Sequence, residues 1–76
     1  MPLLSWHLFF LAREEGERAL ELEARRRIYD QIRAIPGIHF RDLQRKSRAS
    51  TGVLDYHLHY MESRGLIRSA PEGKYT

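Results

Sequence analysis

The run Gly52 to Ile67, GVLDYHLHYMESRGLI, admits few structures. Leu54, Leu58 and Met61 recur at i, i+4 and i+7, so one stripe of a helix faces a core. Gly65 stands where a helix needs a left-handed residue just past its end. Leu66 and Ile67 then begin a β-like apolar pair. The spacing predicts an amphipathic helix, Thr51–Arg64, that runs straight into a strand.

A shorter helix signal, Phe40 to Ser47, lies upstream, joined to the first by Arg48-Ala49-Ser50. His39 is its candidate N-cap, and Asp42 can reach back in capping-box fashion. Phe40, Leu43 and Ala49 are expected to point inward. Ser50 is a better cap for the second helix, its hydroxyl accepting from the N–H of Gly52 or Val53. That leaves a positive dipole end exposed, a natural seat for a phosphate. Leu66 to Ala70 alternates as a strand, Pro71-Glu72-Gly73 reverses the chain, and Lys74-Tyr75-Thr76 starts the return. Ile38-His39 is a very short extended segment suited to pairing with that hairpin. Two short helices across a three-residue turn, followed by a minimal hairpin, outline a winged helix-turn-helix.

The N-terminal third is different. Leu3 to Ala12, LLSWHLFFLA, is apolar almost all round. Ten helical residues rise about 15 Å, half a bilayer core, so this segment does not span a membrane alone. A helix apolar all round needs a host. With 76 residues and no cysteine, the chain has little room to surround it. A second copy is the expected host, with Leu3, Leu4, Trp6, Leu8, Phe9, Phe10 and Leu11 at the interface. The alternatives are a remnant of a membrane anchor, or packing against the next helix. Glu14 to Ile35 reads as a long helix with a stripe of Leu20, Ala24, Ile28, Ile32 and Ile35. Gly16 offers a kink or a start, and Pro36-Gly37 ends the helix. The chain therefore divides into an apolar N-terminal helix, residues 1–13, and a winged helix-turn-helix domain, residues 14–76. The fold class is mainly α with a small β-hairpin wing.

Charge is segregated. The net formal charge is +3 and the pI about 9.7. Residues 1–24 carry −3, with five Glu against two Arg, and residues 25–76 carry +6, with eleven Arg or Lys against five Asp or Glu. The basic charge thus accompanies the helix-turn-helix signal, which suits a polyanionic partner. The acidic part would be repelled by phosphate and is expected to face away from it.

The run PGIHFRDLQRKSRASTGVLDYHLHYMESRGLI with a basic hairpin resembles the winged-helix transcription regulators of the ArsR/MarR type, archaeal branch. The resemblance covers about residues 25–76 and rests on the Pro-Gly-apolar step, Tyr56-His57-Leu58 and Gly65-Leu66-Ile67. It implies a DNA-binding winged helix acting in the cytoplasm, with His57 half-buried against the core. The wing is shorter than that family's. Asp55 is also a departure, since it disfavours phosphate, though it could accept from a cytosine amino group.

Opposite the Leu54–Leu58–Met61 stripe lie Gly52, Tyr56, His59 and Ser63, with Asp55 and Tyr60 on the flanks. Thr51, Asp55, Tyr56 and His59 are the candidate base contacts. Arg41, Arg45, Lys46 and Arg48, with Ser50 and Gly52 at the helix start, are the candidate phosphate contacts. Arg68 and Lys74 stand on the wing. Arg25, Arg26 and Arg27 are expected to be solvated or paired with acids one turn away.

Four histidines raise metal sensing, but His57 and His59 lie about 200° apart on a helix and cannot grip one ion. No catalytic constellation or phosphate-cradling glycine loop is present, and no cofactor is implied. The expectation is a homodimeric regulator that binds double-stranded DNA through residues 51–64. The alternatives are a winged-helix protein-interaction module and the cytosolic domain of a membrane-tethered regulator.

Overall fold

Eight apolar side chains, drawn from every part of the chain after residue 27, form the core: Ile28, Ile32, Ile38, Leu43, Leu54, Leu58, Met61 and Ile67. Tyr29, Phe40, Ala49, Tyr60 and Tyr75 pack around them. The computed structural model describes residues 2–76, with side chains from residue 13 onward. The order is α1 (Pro2–Ala34), β1 (Ile38–His39), α2 (Phe40–Ser47), α3 (Thr51–Ser63) and β2 (Lys74–Tyr75). This is a small, mainly helical winged helix-turn-helix fold.

α1 is a single helix of 33 residues. It passes through Gly16 without a break, and the segment 3–12 is continuous with the helix that enters the core. The assigned interface residues Leu3, Leu4, Trp6, Leu8, Phe9, Phe10 and Leu11 lie outside the described side chains. At 1.5 Å per residue, α1 is about 50 Å long, which sets the 56 Å length of a molecule 24 by 20 Å across. No helix among the described residues is long and apolar enough to cross a membrane.

The expected stripe on α1 is buried only in its middle. Ile28 and Ile32 are buried, but Leu20 is 69% and Ile35 42% exposed. The reason is length. α2 and α3 have 8 and 13 residues, about 12 and 20 Å, so they cover only part of α1. Leu20 lies upstream of that cover.

The turn after α1 uses Gly37 at φ +83, in the left-handed region. Its N–H donates to the Tyr75 carbonyl at 2.8 Å. β1 then pairs antiparallel with β2, Ile38 opposite Tyr75 and His39 opposite Lys74, as the sequence suggested. The other half of the wing is less regular than expected. Leu66–Ala70 forms no named strand and makes one isolated bridge, Ser69 with Tyr75. It nevertheless pairs by backbone: Arg68 and Thr76 exchange two bonds of 2.7 and 2.9 Å, and Ala70 N–H donates to the Lys74 carbonyl. The turn follows at once, the Gly73 N–H donating to the Ala70 carbonyl at 3.0 Å, so the ladder ends there.

Both caps of the helix-turn-helix hold. His39 Nδ1 accepts from the Arg41 N–H at 3.2 Å, and Ser50 Oγ accepts from the Val53 N–H at 3.3 Å. The expected capping box is absent, because Asp42 accepts instead from Arg45 at 2.6 Å. α3 ends in a Schellman motif: Gly65, φ +72, donates to Glu62 O, and Leu66 donates to Met61 O. Leu66 itself is 52% exposed while Ile67 is buried.

Candidate nucleic-acid interface

The turn between α2 and α3 is made by a strained residue. Arg48 has φ +57, the one non-glycine positive φ among the described residues. Its N–H donates to Gln44 O at 2.9 Å, closing α2. Gln44 then reaches across the turn, its Nε2 donating to Thr51 Oγ1 at 2.8 Å. Ser47 Oγ accepts from the Ala49 N–H and donates to Gln44 O. These bonds fix the start of α3 against α2.

Along one face of α3 Ser50, Thr51, Gly52, Asp55 and His59 are exposed. A methyl group added at Gly52 would meet nothing within 4 Å, so backbone is open to close approach there. Around it, Arg41, Arg45, Lys46 and Arg48 are exposed on α2 and the turn, and Arg68 and Lys74 on the wing. Arg45 is partly neutralised by Asp42. Lys46 lines a cavity of about 80 Å³ together with Arg27, Gln31, Ser47 and Val53. Arg27, read from sequence as an ordinary helix charge, thus joins the basic edge. Only the packing of α1 on α2 could reveal it.

Tyr56 is placed differently from its neighbours on that face of α3. The residue is 53% exposed, but its hydroxyl donates to Glu21 Oε1 on α1 at 2.6 Å. That bond is the main reason the Glu21 carboxyl is held below its ordinary range and the Tyr56 phenol above its own. Glu21 also takes Arg25, at 3.1 Å. Arg25 is the hub that sequence reasoning missed. Its side chain is only 11% exposed. Its Nε donates to His57 Nδ1 at 3.2 Å, and its guanidinium lies 3.6 Å from the Tyr60 ring centre. Arg64 approaches the same ring at 4.0 Å. His57 is 3% exposed, fully rather than half buried. Burial first, then the Arg25 charge, pushes its pKa down. An unprotonated Nδ1 is what a hydrogen bond from Arg25 requires. Arg26, by contrast, pairs one turn on with Asp30, as expected.

The wing is anchored to α3 from the other side. Ser69 Oγ donates to Glu62 at 2.7 Å, and Tyr75 packs against Phe40 with ring centres 6.4 Å apart. Burial, with Asp55 and Glu62 nearby, raises the Tyr75 phenol. Among the described residues no group of three or more His, Asp or Glu side chains is placed to hold a metal ion.

A helix held by its N-cap, a three-residue turn, a basic edge and a paired wing are the parts of a DNA-reading module. A family described as an N-terminal HTH domain matches residues 22–76. The chain belongs to that helix-turn-helix family. No curated protein and no solved structure matches. The match begins at Leu22 and spans all eight core residues, the α1–α3 tie at Arg25 and the wing. The helix-turn-helix assignment makes this a DNA-binding domain.

Proposed function

We propose that this helix-turn-helix domain reads double-stranded DNA by sequence, as a dimeric transcription regulator of the ArsR/MarR type, archaeal branch, acting in the cytoplasm. α3 enters the major groove with Thr51, Asp55 and His59 toward base edges. Tyr56 joins them only by releasing Glu21. Arg41, Arg45, Lys46, Arg48 and the N–H groups at Ser50 and Gly52 take phosphates, with Arg27 extending that edge. Arg68 and Lys74 follow the flanking backbone. The apolar residues 3–11 contribute to the dimer.

One observation carries this reading: the exposed start of α3 is flanked by basic side chains on α2, the turn and the wing, while the acidic stretch Glu14–Glu23 lies on another element. A duplex-binding assay over a salt series tests it. Lys46→Ala is expected to weaken binding to all duplexes and to flatten the log K against log[salt] slope by about one. His59→Ala is expected to cost on the order of 1–3 kcal/mol on a selected site and little on random duplex. Salt-independent binding, or none, would favour a protein-interaction module instead.

A further inference from the structure

α1 carries an exposed stripe that the core does not use. Glu15, Ala19, Leu22 and Arg26 are all exposed. They recur at steps of four, three and four, the spacing of a helix–helix seam. Leu22 is 54% exposed. With Tyr29, Met61 and the equally uncovered Leu66 it walls an open groove of about 300 Å³, rimmed by Arg25 and Arg26. The charge along the same helix is divided. Residues 13–24 hold five Glu and two Arg, and residues 25–34 hold four Arg and one Asp.

We propose that a second copy of this chain covers the stripe, its α1 running antiparallel, so that the acidic half of each helix lies along the basic half of the other. The proposal rests on the dimeric reading above and specifies its geometry. Charge decides the direction. A parallel pair would set Glu15 against Glu15 and Arg26 against Arg26. An antiparallel pair with its two-fold axis level with Leu20 and Glu21 sets Glu15 beside Arg26. It also sets Ala19 beside Leu22, a small residue against a large one. An isologous interface makes each pair twice.

The same register spaces the two DNA-binding domains. Residue 30, midway between Ile28 and Ile32, is about 28 Å along the axis from its counterpart, at 1.5 Å per residue. Adding about 8–10 Å between axes gives a separation of roughly 30 Å. Half-sites on one face of a duplex are about 34–36 Å apart. The seam and the core stripe are roughly 130° apart around α1. A two-fold axis perpendicular to the plane of the paired helices therefore brings both domains out on the same side.

Sedimentation of the full chain at low salt tests the pairing without DNA. Glu15→Arg and Arg26→Glu are each expected to weaken the dimer by about tenfold or more, since each puts like charges together twice. The double variant is expected to recover to within about threefold of the parent. Both residues are exposed, so the fold should survive. Spin labels on Arg33→Cys are expected roughly 40 Å apart, against about 10–15 Å in a parallel pair. A dimer unmoved by either single change, or labels at the short distance, overturns the antiparallel pairing and leaves dimerisation standing. A monomer at all concentrations overturns both.

Discussion

Arg25 Nε on α1 donates to His57 Nδ1 on α3 across 3.2 Å, thirty-two residues apart in the chain. The bond joins α1 to α3 at a point where both side chains are largely withdrawn from water. The bond needs an unprotonated His57 Nδ1, so it depends on the protonation state of one imidazole.

That dependence has a sign. Burial and the Arg25 charge hold the folded pKa of His57 below its ordinary 6.5. The unfolded chain therefore binds the extra proton first as pH falls. The stabilisation is complete above about pH 6.5, where the unfolded histidine is neutral, and is lost as pH drops toward the folded pKa. Denaturant unfolding at pH 7.5 and pH 5 should show a lower stability at the acid value. His57→Gln should flatten that part of the profile, and a profile that rises toward acid would refute the arrangement.

Leu58 is 2% exposed and lies between Leu54 and Met61 on the buried face of α3. Leu58→Ala should lower the unfolding free energy by about 2–4 kcal/mol, from lost burial and a residual cavity. A loss under about half a kilocalorie would mean that the core collapses to fill the site.

Arg48 pays a conformational cost for its place in the turn. Arg48→Gly should keep or raise stability by up to about 1 kcal/mol, because glycine adopts a positive φ freely. The same change should weaken binding to all duplexes by removing a phosphate contact. Loss of stability with DNA affinity intact would reverse both assignments.

Tyr56→Phe separates the two roles open to that tyrosine. The ring stays and the bond to Glu21 goes. If the hydroxyl serves the α1–α3 tie, discrimination between a selected and a random duplex is unchanged, while amide exchange near the N-terminal half of α3 quickens. A loss of discrimination with exchange unchanged would place the hydroxyl on a base instead.

Local pattern alone was enough for the helix-turn-helix. The Leu54–Leu58–Met61 period, the Ser50 cap and Gly65 are properties of a few neighbouring residues, and each has one backbone conformation that satisfies it. The same holds for the Pro36-Gly37 stop and for the extended pair Ile38-His39. What escaped the sequence was which partner wins when several are within reach. Asp42 had a backbone N–H and an arginine to choose from, and the arginine took it.

The larger omissions arise from contacts across long stretches of chain. Leu20 fits the buried period as well as Ile28 does, yet α2 and α3 are too short to reach it. Arg25, Arg26 and Arg27 are three identical letters in a row. Their successive 100° steps around α1 send one to His57 and Tyr60, one to Asp30 and one to the cavity beside Lys46. Sequence by itself determined where α2 and α3 begin and end and where α1 stops, because caps, turns and apolar periods act over one or two turns. Tertiary structure decided which charged and aromatic side chains meet, because that depends on how helices distant in the chain cross in space.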